Sequence, residues 1–130
     1  MPIRILLVDD SQEFLSSAVD FLSRDSRVQI VGQAANGLQG CELAMELEPD
    51  LVLMDFSMPV MDGSKATHEM KAQGSRSKIV LCTIGTAEEV RRKAEHAGVD
   101  GVIQKSDFAQ DILSIIESFS VNRNDRETSR

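Results

Sequence analysis

Five short apolar runs, Ile3 to Val8, Val28 to Ala34, Leu51 to Met54, Ile79 to Cys82 and Gly101 to Gln104, alternate with longer segments whose apolar residues recur every three or four positions. Runs rich in Val, Ile and Leu read as strands, and the spacing between them reads as amphipathic helix. Ile3-Arg4-Ile5-Leu6-Leu7-Val8 is nearly continuous rather than alternating, the pattern of a strand covered on both faces in a parallel sheet.

The helical segments carry their own start and stop signals. Phe14, Leu15, Ala18, Val19 and Leu22 line one face of a first helix, with Ser11 as its N-cap and Glu13 at the positive end of its dipole. A second opens at Asn36-Gly37, turns Leu38, Cys41, Ala44, Met45 and Leu47 inward, and ends at Glu48-Pro49-Asp50. A third follows Gly63 and finishes by Gly74. Thr86-x-x-Glu89 is a capping box for a fourth, with Gly98 as its left-handed stop and Arg91, Arg92, Lys93 and His96 toward the negative end of its dipole. The fifth runs from about Phe108 to Phe119 and buries Phe108, Ile112, Ile115, Ile116 and Phe119. The fourth, with mainly Val90, Ala94 and Ala97 to bury, is the most weakly held and the first expected to move. Residues 121–130 contain one apolar side chain, Val121, too little to offset the entropy of ordering. One domain over residues 1–120 is expected, followed by a disordered polar tail or truncated linker.

Five strands alternating with five helices predict an α/β fold, a flavodoxin-like doubly wound parallel sheet in the order 2-1-3-4-5. In that order strands 1 and 3 are neighbours, the winding reverses between them, and ligands bind beyond their carboxyl ends. Four strand ends then meet: Asp9-Asp10 after the first, Asp55 after the third, Thr83 after the fourth and Lys105 after the fifth. Three carboxylates a few ångströms apart repel by roughly 3 kcal/mol per pair at an effective dielectric near 20, so the cluster calls for a cation. All-oxygen donors with open positions suit Mg²⁺, which keeps waters and shares its sphere with phosphate. Mg²⁺ and Lys105 together neutralise a phosphoryl group in flight and leave Asp55 to attack in line, which is phosphoryl transfer to a carboxylate.

Composition narrows the classes. At 130 residues the chain closes one core comfortably and two poorly. Its 14 Lys and Arg against 21 Asp and Glu give a net charge of −7, which repels a phosphate backbone, so no nucleic acid is expected on this domain itself. No apolar run approaches the length of a bilayer span and the N-terminus has no signal-peptide pattern, so a cytoplasmic protein with no membrane contact is expected. Cys41 and Cys82 lie in apolar segments without metal or redox spacing and read as buried thiols.

Val8-Asp9-Asp10, Leu53 through Gly63, Thr83, and Gly98-Val99-Asp100-Gly101 leading to Lys105, in order and each at a strand end, make residues 3 to 119 resemble a response-regulator receiver domain of two-component signalling. The segments are similar in style to receivers that precede a helix-turn-helix DNA-binding output domain. The resemblance implies that Asp55 is the phosphoacceptor. It implies that Asp10, Asp55 and the backbone carbonyl of Ser57 hold Mg²⁺, with Asp9 acting through a water. Thr83 and Lys105 each meet a phosphoryl oxygen in that pattern. The implied donor is a phosphohistidine on a sensor histidine kinase or histidine phosphotransfer protein, hydrolysis resets the switch, and the helix 4/strand 5/helix 5 face carries the output, including a possible homodimer.

Departures from the pattern are equally specific. An aromatic residue commonly stands three positions before the lysine as a rotamer switch; here it is Val102, and the chain has no Tyr or Trp. Ile84 follows Thr83 where many members have a small residue. These two positions keep open a degenerate receiver acting as a phosphorylation-independent dimerisation or docking module. A flavin-binding module would need a glycine- and hydroxyl-rich phosphate loop where Asp9-Asp10 stands, and an aspartate-nucleophile hydrolase would carry its nucleophile after the first strand. Asp62 reads as turn chemistry and helix entry rather than a ligand, and His68 and His96 as solvated side chains.

Overall fold

The computed structural model describes residues 1–128, with side chains described to residue 121. Its elements follow the alternation: β1 (Ile3–Val8), α1 (Gln12–Leu22), β2 (Val28–Ala34), α2 (Gly37–Leu47), β3 (Leu51–Asp55), α3 (Gly63–Ala72), β4 (Lys78–Thr83), α4 (Ala87–Ala94), β5 (Gly101–Gln104) and α5 (Phe108–Thr128), with a 3₁₀ turn over Lys105–Asp107. All strand pairs are parallel and the sheet order is β2-β1-β3-β4-β5, as the sequence predicts.

Strand pleating sorts the core into two layers. Ile3, Ile5, Leu7, Leu51, Leu53, Val80, Cys82 and Ile103 pack against Leu15, Ala18 and Leu22 of α1 and Phe108, Ile112 and Ile116 of α5. Leu6, Val8, Val52, Met54, Ile79, Leu81 and Val102 face Cys41 and Ala44 of α2, Ala66 and Met70 of α3, and Val90 and Ala94 of α4. Successive side chains alternate faces, so this parity carries on to the residues just past each strand end.

Three helices depart from expectation. In α2 the inward face is Gly37, Gly40, Cys41 and Ala44, whereas Leu38 and Met45 are exposed. The glycines let the helix approach closely: a Cβ on Gly40 would stand 2.9 Å from Val8 Cγ1, and one on Gly37 2.7 Å from the Met61 carbonyl oxygen. That approach rotates Leu38 and Met45 outward. Helix α4 ends at Ala94, before the left-handed Gly98, because only Val90 and Ala94 anchor it. Helix α5 continues past Phe119 to Thr128 where a disordered tail is expected; no Gly or Pro follows Gly101 to break it. Residues 129 and 130, the end of that expected tail, lie outside the described residues. Among the described residues no helix is long and apolar enough to cross a membrane.

Candidate functional site

Segment 9–14 builds one wall of the site through a short relay of local bonds. Asp9 Oδ1 accepts the Ser11 N–H at 2.8 Å, and Ser11, the N-cap of α1, accepts the Phe14 N–H at 3.1 Å. Asp9 therefore does part of the capping work and still turns its second oxygen into the site. Asp55, the last residue of β3, shares the pleat parity of Leu51 and Leu53, so Asp9 and Asp55 emerge on the α1/α5 side together. Thr83 has the parity of Ile79 and Leu81 and emerges on the α4 side, the layer that holds Val102.

The loop after β3 folds back on the strand end. Phe56 N–H donates to the Cys82 carbonyl at 2.9 Å and Gly63 N–H to the Phe56 carbonyl at 2.8 Å. Asp62 is the N-cap of α3, its Oδ1 accepting the Lys65 N–H at 2.8 Å, which is the turn and entry role expected of it. At the tip Met61 N–H donates to the Pro59 carbonyl at 2.7 Å across Val60, whose φ is +70° and whose side chain is 95% exposed. A β-branched residue in that region is strained and has no packing in return. Val60→Gly is expected to raise stability by about 0.5–1 kcal/mol, after the entropy that glycine adds to the unfolded chain, and thermal unfolding measures it.

The candidate centre is compact. One carboxylate oxygen from each of Asp9, Asp10 and Asp55 lies within 4.8 Å of the others. Lys105 Nζ stands 2.7 Å from Asp9 Oδ2 and 3.5 Å from Asp55 Oδ1, with its side chain 15% exposed. Its ammonium also sits 4.3 Å from the centroid of the Phe14 ring. Burial pushes the Asp55 carboxyl up to about 6, the Asp9 charge adds to this, and Lys105 only partly offsets it. For Lys105 burial acts to lower the pKa, but its bond to Asp9 and the charges of Asp55 and Asp9 outweigh burial and raise it.

These groups fit a hard divalent cation. All are oxygen donors, and Asp10 is exposed and leaves room for water. The site lies at the carboxyl ends of the strands. A groove of about 470 Å³ lies elsewhere, between β5, α4 and α5, lined in part by Val80, Val102, Ile115 and Phe119.

A sequence model of the response regulator receiver domain matches residues 5–117. The chain belongs to this family. Response regulator protein VraR of Staphylococcus saprophyticus is 37% identical over 116 residues, 89% of this chain and 56% of that protein. The chemotaxis protein CheY of Halobacterium salinarum is 39% identical over 102 residues, 78% of this chain and 83% of that one. A two-component response regulator of the LuxR family from Aurantimonas is similar in structure, with a TM-score of 0.80 at 25% identity, covering 91% of this chain and 87% of that one. The receiver thus spans little more than half the length of its VraR relative.

Asp9, Asp10, Asp55 and Lys105 are brought together, as the sequence expects. Thr83 is buried on the α4 side, its Oγ1 accepting the Gly85 N–H at 3.0 Å. Ser57 lies exposed in the loop two residues beyond Asp55, while Ile84 is 87% exposed beside Thr83 and does not cover Asp55. His68 and His96 are exposed, and the cluster of metal-capable groups found among the described residues contains neither. Cys41 and Cys82 are buried free thiols, and burial pushes Cys82 up to about 12. The sequence reading counts Phe14 only as a core residue; an aromatic one turn after the acidic pair is the signal that it misses.

Proposed function

We propose that this receiver is a phosphorylation-controlled switch acting in the cytoplasm, which accepts a phosphoryl group from a phosphohistidine of a sensor kinase or phosphotransfer protein onto Asp55. The observation that carries the reading is the buried Asp55 carboxylate at the reversal point of the sheet, with Asp9 and Asp10 within 4.8 Å and Lys105 at 3.5 Å. A carboxylate oxygen of Asp55 attacks phosphorus, the P–N bond to the imidazole breaks, and its electron pair stays on the ring nitrogen. Lys105 gives up part of its contact with Asp55 to pair with a phosphoryl oxygen. Asp10, Asp55 and the Ser57 carbonyl would hold Mg²⁺, with Asp9 acting through a water, and the ion would supply the remaining charge neutralisation. Attack of water on the acyl phosphate returns Asp55 and inorganic phosphate.

The switch runs through Thr83. Its oxygen accepts from Gly85, so its O–H is the group left to give a phosphoryl oxygen. Thr83 shares its sheet face with Val102, the layer that Val90 and Ala94 of α4 pack into, and α4 is short. Drawing the hydroxyl toward the phosphoryl group opens space that Val102 or α4 fills, altering the α4/β5/α5 face in place of an aromatic rotamer. That face would carry the output and would be the surface of a homodimer; the likeness to a LuxR-family response regulator supports a transcriptional output through a further domain. NMR spectra with and without a phosphoryl mimic should differ at Thr83, Val102 and α4; unchanged spectra there reject the switch. Ile84 is 87% exposed and leaves Asp55 uncovered, so Ile84→Ala is expected to leave labelling and hydrolysis rates unchanged; a severalfold rise in either would make it a gate.

Incubation with Mg²⁺ and a small acyl phosphate should yield one phosphoryl adduct by intact mass, absent in Asp55→Asn and released by hydroxylamine. The absence of an adduct in the parent favours a docking or dimerisation module, which Val102 and Ile84 would suit.

A further inference from the structure

The protein's aromatic side chains besides histidine are five phenylalanines, and three of them form a chain of edge-on contacts ending at Lys105. The Phe21 and Phe108 ring centroids are 6.3 Å apart at 71°, and those of Phe108 and Phe14 5.3 Å apart at 84°. Lys105 Nζ then lies 4.3 Å from the Phe14 centroid. A ring face attracts an ammonium through its quadrupole, more strongly when both are withdrawn from water, and the Lys105 side chain is only 15% exposed.

The same six residues that carry Asp9 also carry Phe14. Asp9 holds Ser11 N–H, and Ser11 holds Phe14 N–H, so two bonds of 2.8 and 3.1 Å hold the backbone that carries both carboxylate and ring. Lysine has a long flexible stem and three donors, and the 3₁₀ turn that carries Lys105 does not by itself specify where its ammonium rests. Two carboxylates alone would let it settle on the nearer one. We propose that Phe14 is a positioning residue for Lys105, its ring face holding the ammonium between Asp9 and Asp55, where it meets both. The inference rests on Lys105 as the group that pairs with the phosphoryl oxygen, and Phe14 acts only through it.

Phe14→Leu keeps an apolar side chain on α1 and removes the quadrupole. Pentafluorophenylalanine at position 14 keeps the ring's shape and reverses the quadrupole, which covers the case in which the leucine variant folds poorly. Phe21→Leu, in the same cluster but away from Lys105, is the packing control. In the unphosphorylated protein the ε-methylene protons of Lys105 are expected upfield, shifted by the Phe14 ring. Both changes at position 14 should move these signals and lower the second-order rate of labelling by a small acyl phosphate by roughly three- to tenfold. Phe21→Leu should lower the melting temperature and leave both readouts alone. Lys105 signals and labelling rates that match the parent in the fluorinated variant overturn the proposal, as does a Phe21→Leu that moves them equally. A parent that never labels removes the phosphoacceptor reading, and the Lys105 signals then decide by themselves whether the ring holds the ammonium.

Discussion

Asp55→Asn is expected to stabilise the fold by something on the order of 3 kcal/mol above pH 7 in the presence of a chelator, roughly 10 °C in melting temperature, while abolishing phosphoryl labelling. The sign follows from the raised pKa. The folded protein keeps the Asp55 proton up to about pH 6, whereas an unfolded chain releases it near 3.8. Between these values the native state binds more protons, so the group favours folding at low pH. That contribution is lost as pH rises through about 6, and above it the ionised carboxylate is a net cost. Burial is the main cause and the Asp9 charge the second. Asparagine carries no charge to desolvate or repel and has no carboxylate to attack phosphorus. Unfolding free energy measured from pH 4 to 8 in EDTA should therefore fall through pH 6 in the parent and lose most of that step in the variant. Parallel curves would mean that Asp55 ionises normally. In the parent, millimolar Mg²⁺ should recover part of the lost stability, because a ligand bound only by the folded state shifts the equilibrium by mass action.

Gly63→Ala should cost about 3 kcal/mol, and the loss should appear at the site as well as in the melting curve. A Cβ at residue 63 would lie 2.6 Å from the Asp55 carbonyl oxygen and 3.0 Å from Phe56 Cα, both backbone atoms, and 2.9 Å from Leu81 Cδ2. A side chain can turn away from such a clash, but a strand end cannot. Relief must come from moving the start of α3 away from β3, which strains the 2.8 Å bond from Gly63 N–H to Phe56 and tilts Asp55. A melting temperature lower by roughly 10 °C, with labelling slowed well beyond what the unfolded fraction explains, is the expected result. Normal labelling of the folded fraction would show that the loop absorbs the change without disturbing Asp55.

The strands are the part most legible in the chain, and a physical reason lies behind this. A parallel strand buried on both faces must be apolar throughout, so Leu51-Val52-Leu53-Met54 declares itself without help from any other segment. The acids following Val8 and Met54 stand out because they interrupt such runs. Helix faces are less legible, since their spacing sets a stripe and leaves open which side of it a neighbour covers. In α2 the glycines 37 and 40 settle this, by letting the helix sit so close to Val8 and Met61 that Leu38 and Met45 turn outward. Helix ends depend on anchoring: α4 stops early where little is buried, and α5 runs on where nothing breaks it.

For the candidate site, the sequence by itself determined the membership: Asp9, Asp10, Asp55, Thr83 and Lys105 each end or follow a recognisable strand, and the order of the sheet brings those ends together. Tertiary structure alone decided the division among them. Pleat parity sends Asp9 and Asp55 to the α1/α5 face, where Lys105 meets them, and Thr83 to the face of Val102 and α4. Packing likewise set Phe14 under the Lys105 ammonium and buried Asp55 enough to push its carboxyl up to about 6. Residue identity and local periodicity are properties of neighbours in the chain. Distances between side chains, and the dielectric around a carboxyl, come from segments far apart in sequence and exist only once those segments have packed.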